Sequence, residues 1–110
     1  MDSALPLSIT LLQFQSVFSQ PDYLVLDVRR EAAFLRAPRL IPGALRCPPE
    51  ELDHFLKTLE DKQKKLIVYC VHGHEVSQNV ARRCIELGWD TSYLVDGYTG
   101  WLAQQGKNHE

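Results

Sequence analysis

Three cysteines stand at Cys47, Cys70 and Cys84. Only Cys70 is followed by a sequence suited to exposing a reactive sulfur. It closes the apolar run Lys65-Leu66-Ile67-Val68-Tyr69-Cys70 and is followed by a short polar loop, Val71-His72-Gly73-His74-Glu75. A segment of helical period, Val76 to Leu87, comes next. A thiol at a strand-to-helix turn meets converging backbone N–H groups and the partial positive charge of a helix N-terminus. Both favour the thiolate, which is the nucleophilic form. The plainer alternative is a buried strand-end cysteine. Cys84 falls on the apolar stripe of the following helix and reads as core. Cys47 ends a short strand, where packing is the favoured role.

The other residues able to do chemistry cluster near the same point in the chain. His72 and His74 are either solvent-facing loop polarity or groups that touch substrate and hold the loop. A hydrogen bond from an imidazole to Glu75 would serve the second role. Cys70, His72, His74 and Glu75 are poorly arranged for tetrahedral metal ligation in a tight loop, so no metal and no cofactor is expected. Phosphoryl transfer by cysteine needs a cation clamping the oxyanion. The sixth position after Cys70, where such an arginine would stand, is Val76. Asp27 and Arg29 follow another apolar run and suit a scaffold role more than a chemical one.

The elements that must position these residues alternate. Thr10 and Gln13 form a capping box for a helix carrying Leu11, Phe14, Val17 and Phe18 on one face. Tyr23 to Val28 reads as a strand covered on both faces. Glu31 to Arg36 suits a short helix, and Ile41-Pro42-Gly43 a turn before a short strand at 44–47. Pro48-Pro49 opens a helix with Leu52, Phe55, Leu56 and Leu59 at i, i+3, i+4 and i+7. Val76, Val80 and Cys84 mark the buried side of the helix after Cys70, with Arg82, Arg83 and Glu86 toward water and Gly88 as its C-terminal cap. Thr91 to Val95 is the last strand. Tyr98 to Gln104 is a final helix with Trp101 inward, and the tail from 105 to 110 is expected to fray. This order predicts an α/β protein with a parallel sheet, whose ligands bind beyond the carboxyl ends of the strands. Asp27 to Arg29, Cys70 and Asp96 to Tyr98 would converge there.

The 110 residues suffice for one domain, with 45% hydrophobic and 24% charged residues. A formal net charge of −2 supplies no field for nucleic acid or an anionic membrane. The cysteines are odd in number and lack CxxC spacing, which fits a reducing, cytoplasmic setting better than a disulfide framework. No secretory leader is evident, and no apolar run approaches membrane-spanning length.

Four stretches together resemble the rhodanese family of sulfurtransferases. Leu26-Asp27-Val28-Arg29 resembles its strand-end signature, and Ile41-Pro42-Gly43-Ala44 its turn, with Arg39-Leu40 where the family often has Gly-His. Val68-Tyr69-Cys70 and the loop to Glu75 stand where the active-site loop does. Asp96-Gly97-Tyr98-Thr99-Gly100-Trp101 resembles the closing Gly-Gly-x-x-Gly-Trp stretch, with Gly97 retained.

The resemblance implies a single rhodanese-like domain over 1–110, with its core at about 10–104. It implies a central, mostly parallel five-stranded sheet with helices on both faces. It also implies that Cys70 takes sulfane sulfur from thiosulfate or a persulfide donor, holds it as a persulfide, and passes it to a thiol, cyanide or a protein acceptor. Val71, His72, Gly73, His74, Glu75 and Val76 would then surround the sulfur, with Asp27 and Arg29 in support. The departure is Glu75, at a position where common members carry Arg, Lys or a small residue; a carboxylate there disfavours small anionic donors. A non-catalytic module that binds a partner or senses redox state is the alternative on the same fold.

Overall fold

The computed structural model describes residues 7–59 and 62–108. Five strands form one sheet in the order β1-β5-β4-β2-β3, every pairing parallel. They are β1 (Leu7–Ile9), β2 (Tyr23–Asp27), β3 (Leu45–Arg46), β4 (Lys65–Tyr69) and β5 (Thr91–Leu94). The helices are α1 (Leu11–Val17), α2 (Glu31–Arg36), α3 (Leu52–Thr58), α4 (Glu75–Glu86) and α5 (Gly97–Asn108).

Alternation along the central strands divides the core in two. Leu66 and Val68 of β4 join Leu26, Val28, Cys47 and Cys84 in a cluster that receives Leu52 and Leu56 of α3 and Val80 and Ala81 of α4. Ile67 and Tyr69 point the other way, to Phe14 of α1 and Tyr98 and Trp101 of α5. Trp101 meets Phe14 and Phe18 edge-on, so it fills the second core. The two-residue alternation of β4 therefore places successive side chains under different helix layers.

The Thr10 capping box forms as its spacing requires, with Gln13 N–H donating to Thr10 Oγ1 and Thr10 N–H donating to Gln13 Oε1. Gly88, at φ 93°, ends α4 and donates its N–H to the Ile85 carbonyl.

Apart from shifts of one residue at several element ends, three departures from expectation stand out. Strand β1 escapes the pattern because Leu7-Ser8-Ile9 is too short to show a period, and its pairing with β5 defines it. Pro49–Glu51 forms a 3₁₀ turn ahead of α3, and Leu59 is the extended residue that caps α3. Helix α5 runs on to Asn108, past the predicted end at Gln104. Residues 109–110 lie outside the described residues.

Candidate active site

Cys70 is the first residue after β4, and α4 begins five residues later at Glu75. Cys70 is 5% exposed and, with Arg29, lines a cavity of about 260 Å³. Arg30, Ala33, His72, Glu75 and Val76 are among the other residues lining that cavity. The thiol donates to Ser77 Oγ at 3.1 Å, and the Ser77 N–H donates to Sγ at 3.4 Å. At the sulfur itself the hydrogen-bonding residue is Ser77, one position beyond the expected Val71 to Val76 loop. Ser77 is fully buried on α4, three, four and seven residues before Val80, Ala81 and Cys84. A hydroxyl on an apolar helical stripe is the signal that could have identified it.

The loop is held by backbone. Tyr98 and Thr99 at the start of α5 donate their N–H groups to the carbonyls of Cys70 and Val71 at 2.8 and 3.0 Å. Gln78 Nε2 donates to the Gly73 carbonyl at 3.1 Å. Gly73 takes φ +76°, and a Cβ there would stand 2.6 Å from the Leu94 carbonyl oxygen. Gly97 takes φ +55°, and its Cβ would run into the Cys70 carbonyl oxygen. Both positions require glycine because of conformation and of contact. The predicted convergence of Cys70 with Asp96-Gly97-Tyr98 is thus a direct hydrogen-bonded junction. The imagined histidine–glutamate brace is absent: among the described residues, no hydrogen bond or ion pair joins Glu75 to His72 or His74. The two imidazoles lie 6.0 Å apart between ring centres, both exposed.

Asp27 and Arg29 are buried at the end of β2. Arg29 Nη2 donates to Asp27 Oδ2 at 2.7 Å, and its Nη1 and Nη2 also donate to the carbonyls of Ala37 and Arg39. The guanidinium lies 4.1 Å from the Tyr98 ring centre and 5.0 Å from that of Phe34. Tyr69 donates its hydroxyl to Asp27 and accepts from the Ile41 N–H, and burial pushes its phenol upward. Every strong polar group here has a protein partner, which is the scaffold role.

The other two thiols are sealed. Burial raises Cys47 to about 11 and Cys84 to about 12, and both belong to the α3–α4 core. Among the described residues, no group of three or more His, Cys, Asp or Glu side chains is placed to hold a metal ion. No described helix is long and apolar enough to cross a membrane.

Fold and site together define an α/β protein that presents one thiol at the carboxyl end of its central strand. A model of the rhodanese-like domain matches residues 10–104, and the chain belongs to that family. It is 30% identical over 96 residues to the thiosulfate sulfurtransferase GlpE of Coxiella burnetii, covering 86% of each chain. It is 35% identical over 78 residues to GlpE of Shewanella oneidensis, covering 70% of this chain and 73% of that one. The crystal structure of a rhodanese-related protein from Thermoplasma volcanium superposes with a TM-score of 0.74 at 26% identity, covering 89% of this chain and 92% of the other.

Proposed function

We propose that the protein is a sulfurtransferase that carries sulfane sulfur on Cys70. The observation that carries this reading is the contrast among the three thiols. Cys70 lines an open cavity and accepts the Ser77 N–H at its sulfur, whereas Cys47 and Cys84 are packed into the core. The similarity to enzymes named thiosulfate sulfurtransferase supports the same direction.

The Cys70 thiolate attacks the outer sulfur of thiosulfate. The S–S bond breaks, sulfite leaves with the electron pair, and Cys70 retains a persulfide. A thiol, a protein acceptor or cyanide then attacks the outer sulfur and regenerates the thiolate; with cyanide the product is thiocyanate. Neither step needs an external oxidant or reductant. When the thiol ionises, the Ser77 hydroxyl can turn and donate to Sγ beside its own N–H, while the N-terminus of α4 adds partial positive charge. On this reading the loop N–H groups from Val71 to Val76 would receive the added sulfur in the cavity. Three free cysteines support a reducing compartment such as the cytoplasm.

Intact mass after incubation with thiosulfate tests the reading. The wild type should gain one sulfur, lost again on adding cyanide, and Cys70→Ser should gain none while keeping its fold. Sulfur gained by Cys70→Ser but lost in Cys47→Ser would move the chemistry to the other thiol. A wild type that gains none from any donor would favour a binding or redox-sensing module.

A further inference from the structure

The charged side chains lining the cavity over Cys70 are Arg29, Arg30 and Glu75, with His72 and His74 beside them. Glu75 comes from the first turn of α4 and Arg30 from the residue preceding α2, and both line the same cavity as the thiol. Both are exposed. Among the described residues neither side chain makes an ion pair or hydrogen bond, with each other or with anything else. This differs from Arg29, which lines the same cavity but whose guanidinium is held by the Asp27 carboxylate and the carbonyls of Ala37 and Arg39. The lining also includes Ala33, Val71 and Val76, which are apolar.

We propose that Arg30 and Glu75 select a zwitterionic carrier: a small thiol, or its persulfide, that bears a carboxylate and an ammonium group on an amino-acid frame. The inference rests on Cys70 being a sulfur carrier. The carboxylate would pair with Arg30, the ammonium with Glu75, and the methylene adjoining sulfur would lie over the apolar lining toward Cys70. Charge decides between this class and thiosulfate. A dianion gains from Arg30 what it loses to Glu75, whereas a zwitterion gains from both. A cavity of about 260 Å³ suits a carrier of amino-acid size. The loading step balances. The Cys70 thiolate attacks the outer sulfur of R–S–SH, the S–S bond breaks, and R–S⁻ leaves with the electron pair while Cys70 becomes Cys70–S–SH.

Four persulfides test this with the same protein: those of cysteine, 3-mercaptopropionate, cysteamine and 2-mercaptoethanol. They carry both charges, the carboxylate alone, the ammonium alone, and neither. The second-order rate of sulfur gain on Cys70 is read by mass. Cysteine persulfide should load fastest, at least about tenfold faster than the uncharged carrier, as one or two partly exposed charge-assisted contacts allow. Arg30→Gln should collapse the advantage of the carboxylate carriers and spare that of cysteamine persulfide. Glu75→Gln should do the reverse and raise loading from thiosulfate. Ratios between carriers cancel any loss of folded protein in a variant. Equal loading from all four carriers by the wild type, or variants that slow all four alike, would overturn the selection while leaving Cys70 as a sulfur carrier. No loading from any persulfide or from thiosulfate would overturn both.

Discussion

The two central strands β2 and β4 run side by side and end differently. At the end of β2, Asp27 and Arg29 bind each other, two carbonyls and two aromatic faces, and every strong polar atom is satisfied. At the end of β4, Cys70 meets one serine and lines a cavity in which the charges of Arg30 and Glu75 have no protein partner. The residue types at the end of β2 are the more suggestive of catalysis on paper. Their saturation is what makes them structural, because groups already holding every available partner have nothing left to offer a substrate. The thiol end is under-committed, and this supports the chemistry proposed for it.

The largest effect should come from breaking the saturated end. Arg29→Ala leaves the Asp27 carboxylate buried without its main partner, and the expected loss of stability is about 3–5 kcal/mol by urea unfolding. If stability held and only sulfur loading fell, the end of β2 would be part of the chemistry and the contrast would fail. Ser77→Ala acts on the other end. It removes the hydroxyl beside Sγ and keeps the N–H, so the rate of loading from thiosulfate should fall by about tenfold, or ~1.4 kcal/mol. The urea midpoint should move little. A large fall in stability with an unchanged rate per folded molecule would make Ser77 a packing residue.

The smallest effects concern the sealed thiols. Brief treatment of the native protein with iodoacetamide near pH 8 should label Cys70 alone. Burial raises Cys47 and Cys84 from the ordinary 9.0 to about 11 and about 12, which keeps them protonated there. The same shifts set a sign for stability. The folded state holds these protons more tightly than the unfolded chain, so their contribution is complete below pH 9 and is lost as pH rises through about 11 and 12. Melting temperature should therefore decline over that alkaline range. Cys47→Ala should remove part of the decline; a decline unchanged in both Cys47→Ala and Cys84→Ala would assign it to other groups.

The sequence by itself determined the alternation of elements, the helix cap at Thr10, the paired core stripes, the place of Cys84 in the core and that of Cys70 between a strand and a polar loop. Each of these depends on local pattern: capping geometry, a helical or strand period, or a glycine and polar loop directly after an apolar run. Tertiary structure decided the rest, because the partners are distant in the chain. Strand β1 is defined by β5, more than eighty residues away in sequence. The loop after Cys70 is held by N–H groups from Tyr98 and Thr99 and by the close approach of Gly73 and Gly97, not by its own histidines and glutamate. Arg29 became scaffold and Arg30 an unpaired charge in the cavity through the packing of α2 and the turn after it, although the two are neighbours of identical type. Periodicity assigns a side chain to a face. Only packing tells whether that face offers the group a partner or leaves it open to a ligand.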